Sequence, residues 1–176
     1  MSVSSHLNPE PERRLWILHG NMRHAVEWTD IKLGALAVFA AAQMALLKLL
    51  APGGVPAYPA LALLAAVVLI GLFAFSPLIE AQRQLSWIDP RMDRRHAGDC
   101  LLAPQDIAKY PQLELVILLD RYLGGGVTAT PYYEDIVGQI VSGARIATRK
   151  RRLFLAACAP AGLVQLGLLW RLLGLY

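Results

Sequence analysis

The chain has 176 residues, of which 56% are hydrophobic and only 17% are charged, and its mean hydropathy is +0.43. A soluble domain carries about 25% charged residues, so this composition excludes an intrinsically disordered chain and argues against a soluble enzyme. The net charge of +4 and the isoelectric point near 9.3 are compatible with nucleic-acid binding. The positions of the basic residues instead favour a membrane protein that binds no nucleic acid.

Three apolar segments are each close to the roughly 20 residues that a helix needs to cross a bilayer. In chain order they cover 31–50, 58–78 and 153–172. The linker Pro52–Pro56 is short and rich in helix breakers, so the first two segments should form a hairpin. We therefore expect an all-α membrane protein with three transmembrane helices, a cytoplasmic N-terminal helix at 1–30 and a cytoplasmic helical region at 79–152.

The orientation follows from the basic residues. Fifteen of the 17 lysines and arginines lie before the first apolar segment, at its start (Lys32), or between the second and the third. Basic residues flanking membrane spans concentrate on the cytoplasmic side. We expect the N-terminus and the long middle region in the cytoplasm and Tyr176 on the opposite side of the bilayer.

An amphipathic helical pattern precedes the first apolar segment and continues into it. Its apolar or small positions recur every three to four residues and are Leu15, Leu18, Met22, Ala25 or Val26, and Thr29. Gly20 is tolerated inside such a pattern. The sequence predicts one helix from Glu12 to Leu50.

The third apolar segment is preceded in the same way. Thr130 suits a helix cap, Pro131 suits the first helical position, and Glu134 and Asp135 complement the dipole at the N-terminus. The apolar stripe that follows consists of Tyr133, Ile136 or Val137, Ile140, Ala144 and Ala147. These features predict one continuous helix from Pro131 to Leu172.

The middle region contains one further helical pattern, from Ile107 to Leu123, which Pro111 either starts or kinks and Gly124–Gly126 ends. Its buried candidates are Ile107, Tyr110, Leu113 or Leu115, Val116, Ile117, Leu119 and Tyr122. Residues Ser86–Asp99 read as a loop or short helix. We expect a small helical bundle whose apolar stripes exceed what one chain can bury, and therefore a homo-oligomer.

The sequence contains no convincing catalytic, metal or cofactor site, so we expect a protein that is not an enzyme. His96 and Cys100 have metal-like spacing but lack the second pair that a zinc site needs. The run Gly124–Gly126 lacks the Gly-Lys-Ser/Thr ending of a phosphate-binding loop. Both are interpreted as loop features.

Asp30 and Lys32 form a polar pair where the first predicted span enters the membrane. They are either an interfacial anchor or a patch that senses a ligand or couples it to the span. Two residues apart on a helix they point about 200° apart, so each needs a partner elsewhere. The predicted partners are the Arg149–Arg152 cluster for Asp30, and Glu27 or Glu80 for Lys32.

A second polar set lies on the helices of the middle region and is either solvated helix surface or a binding site. Arginines beside Tyr132 and Tyr133 could hold a phosphate and stack a base. The members of this set are Asp106, Lys109, Asp135, Gln139, Arg145 and Arg149.

Several short motifs, in this order, resemble the transmembrane effector family of the Pycsar antiphage system. They are Asn21, Trp28-Thr29-Asp30-Ile31-Lys32, Gln105-Asp106-Ile107-Ala108-Lys109, Tyr133-Glu134-Asp135-Ile136-Val137-Gly138-Gln139-Ile140, Arg145-Ile146-Ala147 and Lys150. The resemblance covers about Trp16 to Leu173. The chain departs from the family at Thr29, where Ala is common, and at Gln105, where Gly is common.

The resemblance implies an effector in the bacterial inner membrane that senses a cyclic nucleotide, cyclic CMP or cyclic UMP, made by a partner nucleotide cyclase. It would then disrupt the membrane, so that the infected cell stops growing or dies. The implied ligand-binding residues are Asn21, Asp106, Lys109, Gln139, Arg145 and Arg149. Asp30 and Lys32 would couple ligand binding to the spans. The alternative is a structural or adaptor membrane protein whose cytoplasmic helices bind another protein.

Overall fold

The computed structural model describes residues 10–50, 57–76, 88–96, 98–122 and 131–173. These residues form helices and connecting turns, with no strand among them. The elements are α1 Glu10–Leu50, α2 Ala57–Phe75, a 3-10 turn at Pro90–Met92, α3 Pro104–Ile107, α4 Gln112–Tyr122 and α5 Pro131–Leu172. The predicted all-α class is confirmed for the described part of the chain.

Three of these helices are long and apolar enough to cross a membrane. Helix α2 has 19 residues, about the length of a single crossing. Helices α1 and α5 have 41 and 42 residues, or about 60 Å each, roughly twice the thickness of a hydrocarbon core. The two predicted continuous helices, Glu12–Leu50 and Pro131–Leu172, are confirmed.

Of the two alternatives left open for the helix predicted at Ile107–Leu123, the structure shows the one in which Pro111 starts a helix. Helix α3 ends at Ile107 and α4 begins at Gln112. The cause is Pro111, because proline disfavours helical geometry in the residue before it and cannot donate a backbone hydrogen bond. Pro111 therefore starts α4, and its carbonyl accepts a hydrogen bond from the Leu115 amide at 3.1 Å.

The chain divides into two compact units. The first, here called the bundle unit, consists of Met1–Glu27 and Arg83–Arg149. The second, here called the span unit, consists of Trp28–Gln82 and Lys150–Tyr176. One boundary falls within α1 and the other within α5, so each long helix contributes residues to both units.

The described part of the bundle unit has a core built from one face each of α1, α4 and α5, together with Ile107 of α3 and the following Ala108. The stripe predicted on α1 is buried at Leu15, Leu18 and Met22, and the stripe predicted on α5 is buried along its length. On α4 the buried residues are Leu115, Val116 and Leu119, whereas Leu113 and Ile117 are exposed. The start of α4 at Gln112 sets which residues face the core.

The span unit has a separate core of small and aliphatic residues. Its buried members are Ala40 and Leu47 of α1, Leu64 and Val67 of α2, and Ala157, Ala161 and Val164 of α5. A Cβ added to Gly71 of α2 would lie 3.3 Å from the Cβ of Ala37. Glycine at this position therefore permits the close approach of α2 to α1.

Some sequence predictions fall outside the described residues. They are the cap at Thr130, the helix end at Gly124–Gly126, the linker Pro52–Pro56, the partner candidate Glu80 and the last residues of the second apolar segment.

Candidate functional site

Lys109 is the centre of a cluster of charged and polar side chains in the bundle unit. Its Nζ donates to Asp106 Oδ1 at 2.7 Å and to Asp99 Oδ1 at 2.9 Å. The hydroxyl of Tyr110 donates to Asp99 Oδ2 at 3.1 Å. The side chains of Lys109 and Asp99 are only 12% and 6% exposed. Because each charge has an opposite charge beside it, the cluster is built to stabilise the fold locally.

The backbone completes this cluster. The amide of His96 donates to Asp99 Oδ2 and the amide of Cys100 donates to Asp106 Oδ2, both at 3.1 Å. The hydrogen bond from Lys109, followed by the one from the His96 amide, lowers the pKa of Asp99 below its ordinary 3.8. The hydrogen bond to Asp106 raises the pKa of Lys109 above 10.5. Both shifts favour the charged forms that hold the loop before α3 in place.

Two arginines of α5 make contacts within the bundle unit. Arg145 Nη2 donates to the carbonyl of Tyr110 at 2.9 Å, and its Nε donates to the carbonyl of Ala108 at 3.4 Å. Arg149 Nη2 lies 3.7 Å from Asp89 Oδ1, and both of these side chains are buried. Arg145 thus satisfies carbonyls that the break between α3 and α4 leaves without helical partners.

Gln139 lines a cavity of about 350 Å³ in the bundle unit. The other lining residues, from α1 and α5, are His19, Met22, Arg23, Val26, Glu27 and Gly143. Glu27 accepts a hydrogen bond from Arg23 Nε at 3.0 Å, yet the Arg23 side chain remains 77% exposed. The cavity therefore presents a guanidinium paired with a carboxylate, together with an imidazole and a carboxamide beside apolar groups. A small anion with a polar ring could bind there by sharing or replacing the carboxylate at the guanidinium.

Asn21 lies at a different, smaller cavity of about 220 Å³. Its walls are mostly aliphatic and consist of Arg14, Leu15, Ile17, Leu18, Asn21, Leu101, Leu102 and Leu119. With few polar groups on its walls, this cavity suits an apolar side chain or ligand better than a nucleotide.

Asp30 and Lys150 form an ion pair between α1 and α5 in the span unit. Lys150 Nζ lies 2.6 and 2.8 Å from the two carboxylate oxygens of Asp30. It also lies 6.0 Å from the ring centroid of Phe75, at the end of α2. The Lys150 side chain is 12% exposed. All three long helices thus meet around this one ammonium group.

The partner of Asp30 belongs to the basic cluster that the sequence predicted for it. The partner predicted for Lys32 is not seen, because Glu80 lies outside the described residues and the ion pairs of Glu27 are with Arg23 and His24. Lys32 is exposed, and within the described ranges it makes no ion pair.

The six predicted ligand-binding residues do not converge on one site. Asp106 and Lys109 pair with each other, Arg145 binds backbone carbonyls and Arg149 lies beside Asp89. Asn21 and Gln139 line different cavities. Sequence reasoning did not place His19 or Arg23 in a site. Their only signal was a basic pair four residues apart on the predicted helix.

Among the residues that the structure describes, no group of three or more histidine, cysteine, aspartate or glutamate side chains is placed to hold a metal ion. His96 and Cys100 lie in the loop that leads into the Lys109 cluster, where the backbone amides of both residues serve as donors. Comparison of the chain with protein-family models, with curated proteins and with solved structures gave no match.

Proposed function

We propose that this protein is a membrane effector of bacterial antiphage defence. A cyclic nucleotide, cyclic CMP or cyclic UMP, binds the bundle unit on the cytoplasmic side, and the span unit then disrupts the inner membrane and arrests the infected cell. The proposal combines the resemblance of the motifs with three features of the structure: membrane-length helices, a polar cavity and a charged link between α1 and α5.

The observation that carries the proposal is the continuity of α1 and α5. Each contributes to the core of the bundle unit and to the core of the span unit without a break. The proposed route from a ligand bound in one unit to the other unit is therefore along the helices that belong to both. A ligand acts in this way only if it binds two arrangements of the helices with different affinities.

The cavity at Gln139 is the proposed nucleotide site. Its volume of about 350 Å³ falls at the lower end of the range for small-molecule pockets. Arg23 and His19 would contact the cyclic phosphate, and the Gln139 carboxamide would hydrogen-bond the base. Because both α1 and α5 supply lining residues, a ligand there would contact both helices.

Binding and killing are tested separately. Titration calorimetry of the detergent-solubilised protein with cyclic CMP and cyclic UMP should give binding that Gln139→Ala and Arg23→Ala each weaken about tenfold, the loss of one good polar contact. The matched control is Ser142→Ala, an exposed change on α5 outside the cavity. If neither nucleotide binds, or if Ser142→Ala weakens binding as much as the cavity variants do, the assignment of the nucleotide site to this cavity is wrong.

The cellular test co-expresses the protein with a pyrimidine cyclase and follows membrane potential with a voltage-sensitive dye. We expect depolarisation and growth arrest only when both proteins are present and the cyclase is active. Depolarisation with an inactive cyclase, or a steady potential with an active one, contradicts the proposed function.

A second candidate function is an adaptor that binds another protein. It is favoured by Leu113 and Ile117 of α4, which are 71% and 56% exposed and lie four residues apart on one helix face. An adaptor would lose its role when both residues are changed to glutamate, whereas the proposed effector would retain cyclase-dependent depolarisation. This double variant therefore separates the two functions.

A further inference from the structure

Helix α1 has two opposite faces in the span unit, and only one of them is covered. The covered face contains Leu33, Ala40, Gln43 and Leu47, which are buried. The opposite face, here called the outer face, has seven exposed residues spaced alternately three and four positions apart. They are Trp28, Ile31, Ala35, Val38, Ala42, Ala45 and Leu49. This spacing is the heptad repeat of a left-handed helix pair.

The residue types on this outer face suit packing against a helix as well as against lipid. Three of the seven positions are alanine, and alanines let two helix backbones approach closely inside a bilayer. Trp28, Ile31, Val38 and Leu49 are 61% to 81% exposed and can fill the spaces between them. Because an exposed face of this spacing suits lipid as well as a second helix, the charges beside it decide between the two.

The charges beside this face identify the second helix. If Trp28 takes position a of a heptad and Ile31 position d, both on the outer face, then Glu27 takes position g of the preceding heptad and Lys32 takes position e. Positions g and e flank the contact face. In a parallel helix pair these positions bring residue i close to residue i+5 of the other helix. Glu27 and Lys32 are five residues apart with opposite charge, so α1 is complementary to a parallel copy of itself. Copies inserted with one topology in one membrane are parallel.

The two residues differ in the contacts that they already make. Lys32 is exposed and has no ion pair within the part of the chain that the structure describes. Glu27 is 49% exposed and already has Arg23 Nε at 3.0 Å and His24 Nδ1 at 3.3 Å on the preceding turn of the same helix, so Lys32 of a second copy would be an additional partner.

We propose that a second copy of this chain packs α1 against α1 along the outer face, with Glu27 of each copy pairing with Lys32 of the other. The assignment rests on the helix pattern and the charges and does not depend on the proposed defence function.

Cysteine cross-linking in native membranes tests the outer face. In a chain carrying Cys100→Ser and Cys158→Ala, Ala42→Cys should give oxidised dimers about tenfold faster than Leu69→Cys, since only Ala42 lies at the proposed seam. Leu69 is the matched control because it is 65% exposed on α2. Equal rates would show that lipid covers both faces and would overturn the proposal, as would faster cross-linking at Leu69.

Charge exchange tests the register. Glu27→Lys alone and Lys32→Glu alone should each slow cross-linking through Ala42→Cys, because each places like charges opposite one another. The double exchange keeps the net charge and should restore the original rate. A double variant that cross-links no faster than the single variants would overturn the parallel register. Protease protection of each variant confirms that membrane insertion is unchanged.

Discussion

Lys150 Nζ donates to both carboxylate oxygens of Asp30, at 2.6 and 2.8 Å, although Asp30 lies 120 positions earlier in the chain. The pair is partly sheltered, with side chains 12% and 30% exposed, and it connects the two longest helices. An ion pair in such a place costs stability when one member is removed, because the other is left without its counter-charge.

Asp30→Ala should abolish cyclase-dependent toxicity while membrane insertion is retained, and Asp30→Asn should give intermediate toxicity. The reason is that Lys150 loses its acceptor and α1 is no longer tied to α5. Growth and membrane potential are measured beside Lys48→Ala, an exposed change on the same helix. The exchange Asp30→Lys with Lys150→Asp should recover part of the activity. If Asp30→Ala remains fully toxic, Asp30 does not couple ligand binding to the spans and is only an interfacial residue.

The topology prediction uses reporters active on one side of the membrane only. A fusion after Tyr176 should report the periplasm, and an insertion at Gly125 should report the cytoplasm, because basic residues concentrate in the segments assigned to the cytoplasm. The opposite pair of signals would place the cavity at Gln139 outside the cell and would remove the proposed route for a cytoplasmic nucleotide.

The stability of the bundle unit should fall in acid through Asp99. Its pKa is lowered in the fold, so the stabilisation is complete above the ordinary value of 3.8 and is lost as the pH falls through the lowered pKa. The pKa of Lys109 is raised, so its contribution is present below 10.5 and is lost as the pH rises through the raised pKa.

Thermal unfolding followed by circular dichroism between pH 2 and pH 7 checks this acid limb, the pH range being set by the ordinary carboxyl pKa of about 4. Asp99→Asn should lower the unfolding temperature at pH 7 and flatten its dependence on acid. Glu134→Gln, an exposed carboxyl on α5, serves as the control. An acid dependence that is the same in Asp99→Asn and in the unmodified protein would assign the effect to other carboxyls.

Arg145→Ala should destabilise the bundle unit by about 1 to 3 kcal/mol, because it leaves the carbonyls of Ala108 and Tyr110 without their donor. Arg94→Ala removes an exposed arginine and should change the free energy of unfolding by less than about 0.5 kcal/mol. Chemical denaturation in mild detergent measures both variants. Equal stability of the two would mean that water replaces the guanidinium at these carbonyls.

The long helices could be predicted from the sequence because their signals are local. Pro131 suits the start of α5, and apolar residues at helical spacing run from Tyr133 through Ala147 into the third apolar segment. Predicting this helix therefore requires no knowledge of contacts between distant parts of the chain. The break at Pro111 was left open because proline either starts or kinks a helix. The structure shows that Pro111 starts α4, and the Tyr110 carbonyl at the break accepts a hydrogen bond from Arg145, which lies 35 residues further along the chain.

The candidate site was less predictable because its contacts follow no repeat. Lys109 pairs with Asp99 across a loop of irregular backbone, and Gln139 shares its cavity with Arg23 from a helix more than a hundred residues earlier. Residue type alone suggested that Asp106, Lys109 and Arg145 were free to bind a ligand. The structure gives all three partners within the protein.

Asp30 lies at the midpoint of α1, with 20 residues on either side of it between Glu10 and Leu50. Lys150 is similarly central in α5, between Pro131 and Leu172. The pair therefore joins the middle of one long helix to the middle of the other. Because 120 residues separate its two members, Asp30 gains its counter-charge only after the chain has continued to the third of its long helices.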